Sequence, residues 1–410
     1  MLNPTSRPMS AHRNRAHLNS DLNGQHFDLV VVGAGAIGLS VAREIRARGL
    51  SVLVLERGSS GRGASWAAAG MLSPLGEALE PGPFLGFGLR SLELWPSFAG
   101  ELEEEAGEGV EYRECGKLRL ALSEEEERRL RRRLAWAREQ GFPAAWWEPE
   151  QILEAYPGVR GGLRGGLLLE RDFRVDNRRL VQALRGAIER RGVRLAEGCE
   201  VASLEIEGGR ARAVRLLSGD RIEAGRILIA AGAWSGGLDG LPHPIPVRPI
   251  RGEMVALRPT SPDGGWSGRG PGTPSAGSRV VESERVYLVP RDDGRILAGA
   301  TEVDGGFHEG PTVEGVMQVL REATALFPAL QGARVEETWS GFRPGSPDGM
   351  PILGPFPGVR DLFLATGHYR NGILLTPATA EAMGRVVVDE DTEALPAAFL
   401  PDRLFRPFQP

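Results

Sequence analysis

The fold is decided by residues 27–49, which read FDLVVVGAGAIGLSVAREIRARG. Residues 27–32 form a short run rich in Val, which is typical of a strand buried inside a parallel sheet. Residues 36–48 carry apolar side chains at helical spacing and predict a helix, and residues 51–56 predict a second strand. A strand, a glycine-rich turn, a helix and a strand in this order indicate a doubly wound α/β domain.

The turn after the first strand has the spacing of a dinucleotide-binding fingerprint. Gly33 permits a tight turn, Gly35 lets the backbone approach a pyrophosphate, and Gly38 lets the helix pack closely on the strand. The N-terminus of the helix offers N–H groups and a partial positive charge to phosphates. Glu56 ends the second strand, where a carboxylate can accept hydrogen bonds from a ribose. The sequence therefore predicts a cofactor that contains ADP, and the alternative is a glycine-rich turn that only packs.

The fingerprint does not choose between NAD and FAD, because both contain ADP. NADP is disfavoured, since Glu56 would repel a 2′-phosphate and the adjacent Arg57 offsets this only slightly. Residues 61–74 (GRGASWAAAGMLSP) are mostly small, so this segment can pass close to an extended ligand. A flexible linker is the alternative, but its apolar centre argues against that reading. The end of a later apolar run, residues 230–234, is a second candidate cofactor edge.

The composition excludes several classes of protein. The chain has 410 residues, enough for two or three domains, and a net charge of −5, which argues against a nucleic-acid binder. Two cysteines, Cys115 and Cys199, make a disulfide framework or a multi-cysteine metal site improbable, and we expect no metal site. Lys117 is the single lysine, so a Schiff-base mechanism would have to use it.

The chain is expected to be cytoplasmic and to contact no membrane. The longest apolar run, residues 27–42, is interrupted by Asp28 and three glycines, which does not suit a membrane span. Residues 1–26 are polar and lack a secretory apolar segment, so we interpret them as a disordered extension or a mis-set start. A transit peptide is the alternative, and no clear amphipathic period supports it.

Three stretches of the sequence resemble the FAD-dependent D-amino-acid oxidase superfamily, and within it the glycine oxidases of thiamine biosynthesis. The first consists of the fingerprint with Glu56 and the 61–74 segment. The others are residues 341–354 (GFRPGSPDGMPILG) and residues 365–379 (ATGHYRNGILLTPAT), which are the more specific motifs. The resemblance covers residues 27 to about 390.

The resemblance implies an FAD-binding, Rossmann-like domain and a smaller α+β substrate domain with an antiparallel sheet. FAD is expected to be bound non-covalently, because neither cysteine lies near the C-terminal end where some relatives attach flavin. We predict a discontinuous division of the chain. The FAD-binding domain takes 27–80, 157–247 and 335–390, the substrate domain takes 81–156 and 248–334, and 391–410 form a C-terminal tail.

The resemblance also assigns residues to the cofactor. Residues 372–388 read as a helix, with a delayed start or a kink at Pro377 as the alternative, and its N-terminus would stabilise negative charge on the reduced flavin. No residue is expected to act as an acid or base, and His368 is expected to lie near flavin without such a role. The predicted cofactor-binding residues are Gly33, Gly35, Ala36, Ile37, Gly38, Glu56, Arg57, Ala64, Ser65, Ala69, Gly70, Met71, Val201, His368, Tyr369, Arg370, Asn371, Gly372, Ile373 and Leu374.

Arg343 is the main candidate for substrate binding. Its planar guanidinium can form two parallel hydrogen bonds with a carboxylate, although a surface ion pair is the alternative. The family pattern around it favours the carboxylate clamp, and the same resemblance places Arg370, Met71 and Tyr287 at the substrate. Two positions depart from the glycine oxidase pattern. Arg285 stands where some members have His, and Glu302 where some have Met, which puts strict glycine preference in question.

The reaction implied by the resemblance is oxidation of glycine, or of sarcosine or small D-amino acids, by hydride transfer from the α-carbon to flavin N5. Oxygen then reoxidises the flavin and gives peroxide, and the glycine imine could supply thiamine thiazole synthesis. The alternatives are a D-amino-acid or sarcosine oxidase, a dehydrogenase with another acceptor, and, more remotely, a non-oxidase flavin-binding or tRNA-modifying protein. We expect a small amino acid and O2 as partners, and a homo-oligomer such as a tetramer.

Overall fold

The computed structural model describes residues 22, 25–78, 80–260 and 279–405. Two large sheets dominate this part of the chain, one with eight strands and one with nine. The strands are β1 (His26–Val32), β2 (Val52–Glu56), β3 (Met71–Leu72), β4 (Lys117–Ala121), β5 (Ala144–Trp147), β6 (Gly165–Leu169), β7 (Phe173–Arg174), β8 (Arg194–Glu197), β9 (Val201–Glu207), β10 (Arg210–Leu216), β11 (Arg221–Ile229), β12 (Arg248–Arg258), β13 (Val280–Glu282), β14 (Tyr287–Pro290), β15 (Ile296–Gly299), β16 (Val303–Asp304), β17 (Arg334–Gly345), β18 (Ile352–Pro355) and β19 (Leu362–Thr366).

Helices connect these strands and pack on the sheets. The α-helices are α1 (Ala36–Ala47), α2 (Ala64–Ala67), α3 (Pro74–Glu77), α4 (Pro83–Ala106), α5 (Glu124–Glu139), α6 (Pro149–Ala155), α7 (Asn177–Arg190), α8 (Val313–Leu326) and α9 (Thr376–Asp389). Short 3-10 turns cover Gly232–Gly237, Pro328–Gly332, Thr392–Ala394, Ala397–Phe399 and Pro401–Arg403. None of the helices in the described ranges is long and apolar enough to cross a membrane.

β1 lies in the middle of the first sheet, whose order is β18-β19-β11-β1-β2-β8. It pairs in parallel with β11 on one side and with β2 on the other. Its residues from Leu29 to Val32 are all buried, which is why the strand reads as a continuous apolar run rather than an alternating one. The predicted strand, turn, helix and strand are therefore confirmed, with boundaries that differ by one residue.

The two faces of the first sheet are covered differently. Leu29 and Val31 pack in one apolar cluster with helices α1, α4, α7 and α9. Val30 and Val32 belong to a second cluster that contains residues of the β9–β10 hairpin. The α/β class is confirmed, and an antiparallel hairpin stands on the face where a doubly wound sheet commonly carries helices.

The second sheet has the order β16-β12-β15-β14-β13-β4-β6-β5, and β17 pairs with β12 along its whole length. Its pairs are antiparallel except β4 with β13. One face packs on α6 and α8 through an apolar cluster that includes Leu288 and Phe327. The antiparallel sheet expected for a substrate domain is therefore present, and the turn at Asp292–Gly294 joins β14 to β15 as predicted.

Two strands of the second sheet fall in segments predicted for the FAD-binding domain. β6 lies at the start of segment 157–247, and β17 begins segment 335–390. The chain crosses from the second sheet to the first inside these segments, because a strand's partners are set by long-range pairing and not by its neighbours in sequence. The predicted domain division remains a prediction.

The two predicted tails contain packed residues. Leu22 is 1% exposed and belongs to the cluster beneath β1, so the disorder predicted for 1–26 does not hold there, while most of that segment lies outside the described residues. In the C-terminal tail, Phe399 is fully buried and meets the ring of Phe87 edge-on at 5.3 Å. Burial of an aromatic ring of this kind stabilises a fold by roughly 2–3 kcal/mol.

The last helix begins later than the sequence predicts. A helix was expected from Gly372, but α9 starts at Thr376 with Pro377 in its first turn. Proline is tolerated there because the first N–H groups of a helix have no partner inside it. Residues 368–375 form turns that end β19 and lead into α9, so they can expose backbone groups to a ligand.

Candidate active site

Two adjoining cavities open at the carboxyl ends of β1 and β11. The nucleotide cavity is lined by residues that include Glu56, Val201 and Trp234. The arginine cavity is lined by residues that include Met71 and Arg343. Both cavities share four lining residues that are small: Gly35, Ala64, Ala230 and Gly232.

The fingerprint glycines occupy crowded backbone positions. A Cβ at Gly33, whose φ is +108°, would lie 2.5 Å from the carbonyl oxygen of Ala230, which directly follows β11. A Cβ at Gly38 would lie 2.0 Å from the carbonyl oxygen of Gly33, so any side chain would push α1 away from the strand. Gly35 lines both cavities at the N-terminus of α1. The three glycines therefore meet the steric requirements predicted from their spacing.

The start of α1 faces the junction of the cavities. The Ala36 N–H donates to Oγ of Ser65 at 3.0 Å, and Ile37 lines the arginine cavity. No acidic residue lies in the first turn of α1, so its N-terminal partial charge is not neutralised there. Donors at this position suit a phosphate group.

Glu56 lines the nucleotide cavity. Its carboxylate accepts from the N–H groups of Ala34 and Gly58, each at 2.9 Å. Arg57 stacks its guanidinium on the indole of Trp234 at 3.6 Å from the ring centre, and Val201 lines the same cavity. The predicted residues Glu56, Arg57 and Val201 are thus brought together, and Trp234 ends the segment proposed as a second cofactor edge.

The 61–74 segment forms one wall of the arginine cavity. Ala64, Ser65, Ala69, Gly70 and Met71 all line it, as predicted for a chain that passes close to an extended ligand. Long-range contacts hold this wall: Asn177 Nδ2 donates to the carbonyl of Ser65 at 2.8 Å. The fully buried Arg291 donates to the carbonyl of Ala69 at 3.0 Å and to Oδ1 of Asn177 at 2.9 Å.

Arg343 projects from β17 toward the neighbouring strand β12. Its Nη1 donates to the carbonyl oxygen of Thr301 at 3.2 Å and, at the limit of hydrogen bonding, to that of Arg251 at 3.5 Å. A Cβ at Gly252 would lie 2.4 Å from Nη1, so glycine is needed for the guanidinium to lie over the strand. Within the described ranges no carboxylate oxygen lies within 4 Å of this guanidinium, and its charge can meet a ligand.

Arg370 is placed in the same cavity but has acidic partners. Its Nη2 lies 3.5 Å from Glu77 and its Nη1 lies 3.9 Å from Glu302. These carboxylates, Glu77 above all, raise the pKa of Arg370 further above its ordinary value. Glu302 also accepts a hydrogen bond of 2.6 Å from the hydroxyl of Tyr369. The charge of Arg370 is therefore offset by the protein, whereas that of Arg343 is not.

Uncharged side chains also line the arginine cavity. Tyr287 on β14 and Met254 on β12 line the arginine cavity with Met71, and the Tyr287 hydroxyl lies 3.2 Å from the sulfur of Met254. Burial raises the pKa of Tyr287, so the phenol stays protonated. The substrate residues predicted from the resemblance, Arg343, Arg370, Met71 and Tyr287, thus line one cavity.

Residues 368–373 close the cavity from the side of α9. His368 is buried with Nε2 3.2 Å from the hydroxyl of Thr379, and burial lowers the pKa of His368 to about 3. Its imidazole is therefore neutral over the ordinary range of pH, and the absence of an acid–base role stays a prediction. Gly372 and Ile373 line the cavity, but Leu374 does not, because its backbone carbonyl accepts from Ser91 and Trp95 in the core.

A third cavity, the entrance cavity of about 1470 Å³, adjoins the arginine cavity. They share Glu77, Tyr287, Arg343 and Arg370. Arg285 and Glu302, where the sequence departs from the glycine oxidase pattern, line the entrance cavity and not the arginine cavity. These two departures therefore lie at the approach to the site.

The shape and the donors of these cavities fit FAD. The nucleotide and arginine cavities are continuous through small residues, which a rod-like ligand requires. Backbone N–H groups at the start of α1 suit its phosphates and Glu56 suits its ribose. In the part of the chain that the structure describes, no three His, Cys, Asp or Glu side chains come together as they would to bind a metal ion.

A family model described as DAO, FAD dependent oxidoreductase, matches residues 28–385. The chain belongs to this FAD-dependent oxidoreductase family. Glycine oxidase of Pseudomonas aeruginosa is 34% identical to this chain over 375 residues, which cover 91% of this chain and 98% of that protein. The crystal structure of glycine oxidase from Geobacillus kaustophilus superposes with a TM-score of 0.84 at 33% identity and covers 92% of this chain and 98% of that one.

The oxidoreductase also resembles larger proteins. The bifunctional protein ThiO/ThiG of Synechocystis is 36% identical over 385 residues. The match covers 93% of this chain but only 55% of that protein, so the chain spans about half the length of such relatives.

Several residues that shape the site of this oxidoreductase were not found from the sequence. Asn177 and Arg291 hold the 61–74 wall, and Gly252 makes room for Arg343. Glu77 pairs with Arg370. No local motif marks them, because each acts through a contact with a distant part of the chain.

Proposed function

We propose that this FAD-dependent oxidoreductase oxidises glycine and related small amino acids, with Arg343 binding the substrate carboxylate. The observation that carries the proposal is the guanidinium of Arg343, which lines the arginine cavity, donates to two backbone carbonyls and has no carboxylate oxygen within 4 Å among the described residues. A guanidinium without a carboxylate partner favours an anionic ligand group. Glycine oxidases at 34% and 33% identity support the choice of substrate class.

The walls of the cavity favour a small substrate. Met71, Met254 and Tyr287 surround the space beside Arg343 with apolar or neutral surface. We propose that these side chains orient the α-carbon of the bound amino acid toward the flavin, and that Gly372 and Ile373 contact the flavin edge. Orientation of two reactants in a closed site is a sufficient source of catalysis without an acid or base at the α-proton.

The FAD is proposed to lie along both cavities. Its adenosine would lie near Glu56, Arg57 and Val201, and its phosphates near the start of α1 and Ser65. When bound, the flavin supplies the acceptor for the hydride of the α-carbon. The wall of the arginine cavity contains no cysteine among the described residues, which supports non-covalent binding. Ala36, Gly38 and Leu374 are proposed to act through packing and backbone geometry.

The domain roles follow as a proposal. The first sheet would bind FAD, and the second sheet would cover the substrate, because Tyr287 and Arg343 lie on the second sheet. We further propose that the protein is a cytoplasmic homo-oligomer, with a tetramer as the first candidate. We propose that it has no nucleic-acid or membrane partner and that its imine product supplies thiamine thiazole synthesis. The net charge of −5 argues against a nucleic-acid partner, and the relatives named ThiO/ThiG support the link to thiamine synthesis. Light scattering of the purified protein would test the oligomeric state.

The decisive experiment is an absorbance spectrum followed by anaerobic addition of glycine. We expect flavin bands in the purified protein, bleaching on addition of glycine, and peroxide when air is admitted. A protein that stays colourless after reconstitution with FAD would contradict the proposal. Parallel additions of sarcosine, D-alanine and D-proline would separate glycine oxidase from its relatives, and bleaching without peroxide in air would indicate a dehydrogenase.

A further inference from the structure

A buried chain of polar side chains leads from the wall of the arginine cavity to the entrance cavity. Ser73 lines the arginine cavity, and its hydroxyl donates to Oδ2 of Asp172 at 2.5 Å. That oxygen lies 3.6 Å from Nζ of Lys117, which lies 3.3 Å from Glu282. Glu282 and Arg119 are 3.5 Å apart, and both line the entrance cavity. We call these five residues the Lys117 cluster.

The cluster is unusual in its burial. Lys117 is the single lysine of the chain and is 2% exposed, and Asp172 is 1% exposed. A Cβ at Gly76 would lie 2.0 Å from Nζ of Lys117 and 2.2 Å from Oγ of Ser73, so glycine there leaves room for both groups. Buried charges of this kind cost desolvation and are retained where geometry or function requires them. The mechanism proposed so far uses none of these five residues.

We propose that the Lys117 cluster takes up the proton of the substrate's ammonium group: the Ser73 hydroxyl accepts that proton and passes its own to Oδ2 of Asp172, while Lys117, Glu282 and Arg119 hold the charges around Asp172. The proposal rests on the proposed oxidation of an amino acid. Asp172 and Lys117 act through Ser73 and are therefore positioning residues.

Each turnover requires that one proton leave the substrate and that one proton return when peroxide is formed. Glycine enters with an ammonium group, which loses one proton so that the nitrogen lone pair can form the C=N bond. The α-C–H bond then breaks, and its hydrogen leaves with two electrons to the flavin, which gives the imino acid. Oxygen finally takes up those two electrons, that hydrogen and one proton to become hydrogen peroxide. The proton released first equals the proton taken up last, so the relay would operate in both directions.

The position of the cluster suits this role. A substrate held on Arg343 would lie where the arginine and entrance cavities meet, because Arg343 lines both. It would thereby obstruct direct exchange of protons with solvent. Ser73 and Asp172 lie beside that opening and provide another acceptor, which holds the proton until the flavin is reoxidised.

The charges around Asp172 favour a group that can change its protonation state. Lys117 on β4, Glu282 on β13 and Arg133 on α5 face it, together with the hydroxyl of Ser73. Burial raises the pKa of Asp172 to about 6, and Lys117 acts in the opposite direction. Its other oxygen, Oδ1, has no hydrogen-bond partner among the described residues. Glu282 differs, because Lys117 and Arg119 outweigh its burial and lower its pKa.

The test is anaerobic stopped-flow reduction of the holoenzyme by saturating glycine between about pH 5.5 and about pH 10. In the wild type we expect the rate of flavin bleaching to fall as pH drops through the pKa of Asp172, because only the carboxylate accepts a proton. Asp172→Asn should slow bleaching at neutral pH by about 10- to 100-fold, and the rate should recover at high pH where the free amine is abundant.

Further variants separate a relay from a structural role. Ser73→Ala should resemble Asp172→Asn, and Ser73→Thr should restore most of the rate because it keeps the hydroxyl. Lys117→Met removes a cation that lowers the pKa of Asp172, so its profile should shift to higher pH. The matched control is Glu105→Gln, a carboxylate paired with Arg43 and Arg191 away from the cavities, whose profile should match the wild type.

A readout independent of turnover is the infrared carbonyl band of a protonated carboxylic acid, followed through a pH titration without substrate. We expect a band that titrates near pH 6 in the wild type and is absent in Asp172→Asn. A folded, yellow Asp172→Asn protein whose rate is unchanged, or reduced equally at every pH, would overturn the relay. Failure of glycine to bleach the wild type at any pH would instead overturn the proposed function.

Discussion

The two ends of the combined cavity are built in different ways. At the nucleotide end, most of the groups come from residues 32–64, a single strand–turn–helix–strand unit. At the arginine end, the lining residues come from the 61–74 segment, β12, β14, β17, β19 and the turn before α9, together with Ile37 of α1 and Glu77 of α3. The first end depends on backbone spacing within one segment, and the second depends on side chains that long-range strand pairing brings together. Changes at the two ends should therefore have separable effects on cofactor and on substrate.

The largest expected effect is at the nucleotide end. Gly38→Ala places a methyl group 2.0 Å from the carbonyl oxygen of Gly33, so α1 must move away from β1. We expect loss of bound FAD and a decrease of roughly 1–3 kcal/mol in the free energy of unfolding. The measurements are the flavin absorbance of the purified protein and chemical denaturation.

The control for this change is Gly86→Ala. Gly86 is also a helical glycine, but a Cβ there meets no atom within 4 Å and the residue is exposed. Its flavin content should equal that of the wild type, with stability unchanged or slightly raised, since alanine favours a helix. If Gly38→Ala retained FAD as well as this control does, close packing of the turn would not be what forms the cofactor end.

Arg343→Ala tests the arginine end and should leave the cofactor in place. Loss of the charged hydrogen bonds to the substrate carboxylate should cost about 2–4 kcal/mol in substrate binding, which is a rise of roughly 30- to 1,000-fold in the KM for glycine. Steady-state kinetics and the flavin spectrum of the same preparation measure the two expectations. Arg285→Ala is the matched control, because Arg285 is 75% exposed and lines only the entrance cavity. An unchanged KM in Arg343→Ala would remove this residue from the substrate site.

The same contrast explains what the sequence could predict. The strand–turn–helix–strand unit and its glycines were predictable because each glycine has a local steric reason. Arg343 was found through a resemblance, and nothing local distinguishes it from the paired Arg370, since the partners Glu77 and Glu302 come from other segments. The late start of α9 follows from Pro377 in its first turn.

Other features depend on pairing that no local pattern reports. β6 and β17 join the second sheet because of their partners β4 and β12. The buried Arg291 contacts a wall that lies more than two hundred positions earlier in the chain, at Ala69. Such contacts are properties of the folded chain, and a sequence pattern contains no signal for them.

Glu56→Gln should weaken FAD binding without affecting the substrate end. The amide keeps the size of the side chain but loses its charge, and one of its two acceptor positions becomes a donor facing Ala34 or Gly58. A hydrogen bond to a charged group contributes about 1.5–3 kcal/mol, so the Kd for FAD should rise by at least about 10-fold. Titration of the apoprotein with FAD, followed by fluorescence, measures this. Glu200→Gln, at an exposed position on the same cavity, should change the Kd by less than about 2-fold, and equal effects of the two changes would argue against a specific role of Glu56.

The smallest effect is expected from Glu302→Met at the approach to the arginine end. Burial, followed by the hydrogen bond and charge of Glu302, raises the pKa of Tyr369 to about 12. Removal of the carboxylate should therefore lower that pKa, while burial keeps it above the ordinary value. Spectrophotometric titration of the four tyrosines, compared with the Tyr369→Phe protein, identifies the shift. The flavin content should be unchanged, and kcat/KM for glycine should change by no more than about 5-fold, because Arg343 keeps its position. A pKa of Tyr369 that does not move would mean that the contact with Glu302 does not persist in solution, and the approach to the site would then be less constrained than the arginine cavity itself.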